Sequence, residues 1–256
     1  MQGAPPSFRL DGQVALVTAS SKGIGRACAL ALAHAGADIV LGLHDRATGE
    51  DLAREIEALG RRALPVQMDV TRLDEVRGAV QEALAHFGQI DLLVNNAGIG
   101  APNPAEDVTE EDFDATVAVN LRGTFFVAQV VGRHMLERGR GVIVNISSQA
   151  GFVALPTESV YCMTKAGVSH LTRCLALEWA PRGVRVNAVA PTFVETPGTR
   201  RWLDDPAFRA SVVERIPLGR VGQPVDVAGA VVFLASPAAA LITGETLMID
   251  GGWTIR

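Results

Sequence analysis

Tyr161 and Lys165 stand four residues apart in the stretch SQAGFVALPTESVYCMTK, residues 148–165. On a helix that spacing puts both side chains on one face. A phenol beside an ammonium suits proton transfer, because the positive charge favours phenolate and draws the tyrosine pKa down from about 10. Ser148 opens the stretch, directly after the apolar run GVIVNIS (141–147). Open α/β sheets gather ligands at the carboxyl ends of their strands, which is where a hydroxyl at 148 would stand. Tyr-x-x-x-Lys also arises on ordinary surface helices, so the rest of the chain must build a cofactor site around the pair.

The elements that would do so follow in order. VALVT (14–18) is a short β-branched run of the kind buried on both faces of a parallel sheet. ASSKGIG (19–25) follows at once, and RACALALAHAG (26–36) continues as a helix ending on glycine. Strand, glycine loop and helix N-terminus together make an anion site, with free N–H groups and the helix dipole aimed at a phosphate. Gly23 and Gly25 permit close backbone approach and tight packing. DIVLGL (38–43) is a second strand, and HDRATGEDLAREIEALG (44–60) an exposed helix with Glu/Arg pairs. ALPVQMDV (63–70) supplies a third strand ending in Asp69, and Thr71 with Asp74 predicts a capping box for a helix through Phe87. DLLVNNAG (91–98) is a fourth strand, ending in Asn95 and Asn96.

Thr109 with Asp112 predicts a second capping box, opening a helix through Arg138 with Asn120 in its interior. Asparagine competes for backbone hydrogen bonds, so Asn120 either faces solvent or marks a kink that holds a polar group or water in the site. Residues 141–147 form a fifth strand, and a helix from the 148–165 segment runs to about Ala180. GVRVNAVAP (183–191) is a sixth strand, QPVDVAGAVVFLAS (223–236) a helix and ETLMID (245–250) a last strand. This alternation predicts an α/β fold, a three-layer doubly wound parallel sheet of Rossmann type, as a single domain over 1–256. The long connection at about 192–220 reads as a substrate lid.

Of 256 residues 48% are hydrophobic, enough for a sizeable core, and the net charge of −5 argues against nucleic acid or an anionic membrane as partner. No apolar run reads as long enough to span a bilayer. MQGAPPSFRLDGQ (1–13) has no apolar stretch of a secretory signal and reads as a short arm. Cys28, Cys162 and Cys174 show no paired spacing, a reduced intracellular usage. Cys162 points away from its neighbour Tyr161 and reads as a packing residue rather than a nucleophile. The five histidines have no metal-ligand spacing, and no metal is expected.

With these residues assembled, the chain resembles the short-chain dehydrogenase/reductase family over essentially its full length. The motifs are T-x-x-x-K-G-I-G (18–25), Asp69-Val70, N-N-A-G (95–98), Asn120, Ser148, Tyr161 with Lys165, and P-T-F-V-E-T (191–196), with Tyr161 following Ser148 at the family interval of 13. The resemblance implies that Tyr161 is the general acid in reduction and base in oxidation. Lys165 would lower its pKa and bind the nicotinamide ribose. Ser148 would hold the substrate oxygen, and Asn120 a water linking Lys165 to solvent. It implies cofactor contacts from Thr18, Ser20, Ser21, Lys22, Gly23, Ile24 and Gly25 at the phosphates, and from Leu43, His44 and Arg46 at the ribose end. Asp69, Val70, Asn96, Ala97 and Gly98 would line the adenosine side; Pro191, Val194 and Thr196 the carboxamide end.

Two positions depart from the family pattern. Ala19 stands where a loop glycine is usual, and works unless the backbone there needs φ > 0; Thr192 replaces the glycine of a Pro-Gly turn and reshapes the nicotinamide end. Pro-Thr, with S-S-Q before and S-V-Y-C-x-T-K after, is similar to the sugar- and polyol-reducing members of the L-xylulose reductase type. His44, Arg46 and Lys22 favour NADP, with NAD the alternative if Asp45 reaches the ribose. Gln149, Phe193 and Trp202 are expected at the substrate, with Phe152, Val153 and Phe208 as further walls. The substrate class expected is a sugar, polyol or sugar acid. A 3-oxoacyl thioester held by Arg200 and Arg201 is the alternative, and a non-catalytic dinucleotide sensor a second. The resemblance also implies a cytoplasmic homotetramer with the helices of Asn120 and Tyr161 between subunits, and Trp253 and Ile255 are apolar enough for an interface.

Overall fold

Short β-branched runs form seven strands: β1 (Val14–Thr18), β2 (Asp38–Leu43), β3 (Ala63–Gln67), β4 (Leu92–Asn95), β5 (Gly141–Ile146), β6 (Val184–Pro191) and β7 (Thr246–Ile249). The computed structural model describes residues 5–255; Met1–Ala4 of the expected arm and Arg256 lie outside the described residues. The strands make one sheet in the order β3-β2-β1-β4-β5-β6-β7, parallel throughout. Alternate residues of β1 serve opposite cores, Ala15 and Val17 one, Val14 and Leu16 the other, as a strand's period of two requires. Helices α1 (Gly23–Ala35), α2 (Glu50–Ala58) and α9 (Pro224–Ala235) cover the first face; α3 (Leu73–Phe87), α5 (Thr124–Arg138) and α6 (Ser159–Trp179) cover the second. The fold is the expected three-layer α/β sandwich. Strand order reverses between β1 and β4, so the β1 and β4 loops part there and leave a crevice.

Local readings fared unevenly. The run expected as one helix through Arg138 is α4 (Glu110–Val117), a π-helical turn at Ala118–Gly123, then α5. Thr109 caps α4, its hydroxyl accepting from Asp112 N at 3.1 Å. From 110 to 138 the run is 29 residues with a mean hydropathy of 1.2 in its most apolar window. By length and composition alone, then, one helix is long and apolar enough to cross a bilayer, against the sequence expectation. Its apolar face is packed on the sheet, with Val127, Ala128, Val131 and Met135 buried.

The capping box expected at Thr71 does not form. Thr71 donates to Asp69 Oδ1 at 2.7 Å, and α3 has Arg72 as its N-cap, without a side-chain cap, which leaves Thr71 one residue too early to cap it. A capping box closes α9 through Gln223 and Asp226. Residues 44–60 split into a 3-10 turn (Arg46–Gly49) and α2, whose Leu52, Ala53 and Ile56 are buried rather than exposed. Between β6 and α9 lie α7 (Arg200–Leu203) and α8 (Pro206–Glu214), folded over a small cluster of Leu203, Val212, Ile216, Val221 and Trp253. Trp253 is therefore used inside its own chain, stacked 5.8 Å from Phe193, while Ile255 is exposed.

Candidate active site

At the carboxyl ends of β1, β4, β5 and β6 lies a cleft of about 650 Å³. Lys22, Gly23 and Ile24 line one end; Ser148, Tyr161 and Lys165 line the middle; Phe193, Arg201 and Trp202 line the outer wall, with Gln149, Thr192 and Glu158 between. Tyr161 and Lys165 are one turn apart on α6, as the spacing requires. The turn after β5 sets their position. Ser147 Oγ donates to Lys165 O at 2.9 Å and meets Ser169 Oγ at 2.8 Å. At Gly151 a Cβ would lie 2.8 Å from the Lys165 carbonyl carbon, so only glycine lets that turn press on the helix.

Lys165 is buried and its Nζ donates to Ile146 O at 2.9 Å; it lies 5.6 Å from the Tyr161 ring centroid. Burial pushes the Lys165 ammonium down to about 8. Burial likewise pushes the Tyr161 phenol up to about 12, opposed by a hydrogen bond from Ser148 and reinforced by the Glu158 charge. The expected lysine-driven depression of the tyrosine is thus reversed in the protein alone. Desolvation, which disfavours both charged forms, outweighs the neighbouring ammonium. Glu158, three residues before Tyr161 on the same helical face, is also raised by burial, with Arg201 opposing. Sequence reading passed over it, although that spacing was visible.

Asn120 is fully buried inside the π-helical turn. Its Oδ1 accepts from Ile99 N at 2.9 Å, and its Nδ2 donates to Ile99 O at 2.9 Å and Thr164 Oγ1 at 3.0 Å. The break in the α-helix is there as a π-helical turn, and the solvent-facing alternative is not. The carboxamide stitches the loop after β4 to α6.

A family model described as "Enoyl-(Acyl carrier protein) reductase" matches residues 18–254. A D-threitol dehydrogenase of Mycolicibacterium smegmatis is 45% identical over 262 residues, covering 97% of this chain and 95% of that protein. An NAD-dependent glycerol dehydrogenase of Listeria innocua is 40% identical, covering 100% and 99%. The crystal structure of a gluconate 5-dehydrogenase from Burkholderia cenocepacia in complex with NADP and tartrate superposes with a TM-score of 0.95 at 42% identity, covering 98% of each chain. The chain belongs to the short-chain dehydrogenase/reductase family.

A family dinucleotide has a cradle here. Gly23 has φ +57°, and at Gly25 a Cβ would lie 2.5 Å from both Ala19 O and Asn96 Nδ2. Buried Ser20 Oγ has no partner, and the first turn of α1 carries no acidic side chain. An anion at that N-terminus meets free donors and no repulsion, so the residues fit a pyrophosphate. Ser21 and exposed Lys22 border the same loop. Ala19, where the family carries glycine, has φ +51°. The loop does need the left-handed region, and the alanine holds it at a cost of about 1 kcal/mol. Thr192 lines the cleft with its Oγ1 buried and unpartnered.

Among the other expected cofactor residues, Asn96, Gly98, Pro191, Val194 and Thr196 line the cleft, while Thr18 supports it from behind. Thr18 Oγ1 accepts from Asn96 N at 2.9 Å and Ala97 N at 3.0 Å, and Asn96 Nδ2 donates to Thr18 O at 3.0 Å; together they fasten the β1 loop to the β4 loop. At Gly98 a Cβ would lie 3.2 Å from Lys165 Nζ. Pro191 lines the cleft, as does Val194, which bridges to Gly222; Thr196 sits against Gly23. Leu43 ends β2 with its side chain buried in the core, so only its backbone reaches the ribose end. His44 is exposed, 3.8 Å from Asp69 Oδ2, and Arg46 pairs with Glu82 at 3.0 Å. Asp45 is turned into its own loop, accepting from Ala47 N at 3.1 Å. Val70 is buried against Gly123. Among the described residues no group of three His, Cys, Asp or Glu could hold a metal ion.

Proposed function

We propose that the chain interconverts a secondary alcohol and a ketone on a sugar, polyol or sugar acid, using a nicotinamide dinucleotide. The observation that supports this is the meeting of Ser148, Tyr161 and Lys165 in a cleft whose far end is a glycine-lined helix N-terminus cleared for phosphate. A dinucleotide held by the glycine loop would supply the hydride acceptor in oxidation and the hydride donor in reduction. Tyr161 Oη takes the hydroxyl proton in oxidation and gives it back in reduction. Ser148 donates a hydrogen bond to the same oxygen and holds it in line. Lys165 supplies positive charge beside the phenol, and Asn120 keeps the loop after β4 and α6 in register behind them. Relatives named for D-threitol, glycerol and gluconate support the substrate class.

NADP is the proposed partner, supported by NADP-bound relatives and by Lys22 and Arg46 near the ribose end; Arg46 is half-exposed and its Glu82 pair is a weak surface one. NAD is the alternative. The proposal extends to a single cytoplasmic domain with a lid at about 192–220, self-associated as a homotetramer.

Initial rates over sugars, polyols, ketones and an acetoacetyl thioester, each with NAD and NADP, test the reading. Tyr161→Phe should lower turnover by about 10²–10⁴-fold and leave dinucleotide binding, followed by fluorescence, intact. A variant that kept its rate would remove Tyr161 as the acid/base. Turnover confined to the thioester would favour the second reading, which Arg201 in the cleft and the acyl-carrier description of the family model support. Binding without any turnover would favour a sensor.

A further inference from the structure

The wall around the reacting groups carries more hydrogen-bond acceptors than the reaction uses. Glu158 is the N-cap residue of α6, where a carboxylate ordinarily accepts from free N–H groups, yet its side chain makes no cap hydrogen bond. It lines the cleft instead. A Cβ at Gly100 would lie 3.5 Å from Glu158 Oε2 and 3.4 Å from Tyr161 Cδ2, so carboxylate and phenol ring flank the same point. Among the described residues the carboxylate accepts no hydrogen bond and joins no ion pair. Two more oxygens of the cleft share this condition. Gln149 is 1% exposed with Oε1 unpartnered, and Thr192 Oγ1 is buried and unpartnered.

Buried acceptors cost free energy until a donor reaches them. A substrate with several O–H groups supplies donors. A carboxylate at that end supplies only acceptors and sets a second negative charge against Glu158. The cation on this wall is Arg201, whose guanidinium is stacked 3.9 Å over the Trp202 ring rather than paired with Glu158. Lys22 stands at the opposite, glycine-loop end.

We propose that Glu158 accepts a substrate hydroxyl, with Gln149 and Thr192 beside it, and so selects a neutral polyol or its uncharged ketose over a sugar acid of the same length. The proposal rests on the oxidoreductase reading and narrows its substrate. The test is kcat and KM for the wild type, Glu158→Gln and Glu158→Lys on four- and five-carbon polyols and the matching aldonates, with NADP and NAD. Circular dichroism and dinucleotide fluorescence check that each variant folds and binds. The wild type should prefer the polyol by at least about tenfold in kcat/KM, as expected for one hydrogen bond to a charged group. Glu158→Gln should raise polyol KM by a similar factor, and Glu158→Lys should turn the preference towards the aldonate. Should Glu158→Lys not fold, the KM change in Glu158→Gln decides. Equal use of both classes by the wild type, or an unchanged polyol KM in Glu158→Gln, overturns the proposal and leaves the oxidoreductase reading standing. Absence of turnover with every substrate, dinucleotide bound, overturns both.

Discussion

Burial sets the protonation states in the cleft before any ligand arrives, and it does so against the charge of Lys165. That ammonium is lowered to about 8 from 10.5, so between those values the unfolded chain holds a proton that the folded chain has released. Stability then rises with pH across the window, and the cost of burying the charge is fully present below pH 8. Lys165→Met should accordingly be more stable than the wild type at pH 7.5 in urea titrations, by roughly 2–3 kcal/mol, with the gap closing towards pH 10.5. Tyr161 gives the opposite slope, from pH 10 upward, and largely cancels in the difference. A gap independent of pH would show that Lys165 carries no such cost. Residue types and spacing were enough to expect Ser148, Tyr161 and Lys165 together, and the structure brings the three to one cleft. The direction of their titration was not legible, since desolvation comes from how β5 and the loops after β4 and β5 pack on α6. The partners of Arg46 and His44, Glu82 and Asp69, were not legible either, because they lie on other elements.

At the level of elements, the apolar runs, the glycine loop and the alternation of strands and helices were legible almost to the residue. The π-helical turn showed itself only as an asparagine in the wrong place. A poor helix former amid good ones signals a local exception, but its type depends on what the freed groups meet, here Ile99 and Thr164 from elsewhere in the chain. Asn120→Leu removes the partners of the Ile99 N–H and C=O and of the Thr164 hydroxyl together. The expected loss is about 3 kcal/mol or more, read as a fall in the urea midpoint, together with faster amide exchange at Ile99. Loss of activity at unchanged stability and exchange would instead assign Asn120 to the chemistry. The absent cap at Thr71 was illegible because α3 begins one residue later than the spacing implied, with Arg72 at its N-cap.

For the whole molecule, the sheet joins glycine loop and catalytic helix into one body, so ligand binding and global stability are linked. NADP at about 100 times its dissociation constant should add about 2.7 kcal/mol. In a chain of this size that is about 5–10 °C in Tm, measured by calorimetry with and without dinucleotide; no shift with NADP or with NAD would mean that the glycine-lined crevice does not hold the cofactor. The strand order has a further consequence, for the chain during its synthesis. β1 must wait for β4, 77 residues later at the Val14–Asp91 contact. Pro191, at the cleft end of β6, pairs with Ile249 of β7, and Thr192 N is held by Ile249 O at 3.2 Å. The wall beside the reacting groups is therefore finished only when β7, a strand far downstream of β6 in sequence, has paired. During synthesis β1 can close on β4 well before β7 emerges, so the cofactor crevice takes shape before the substrate wall does.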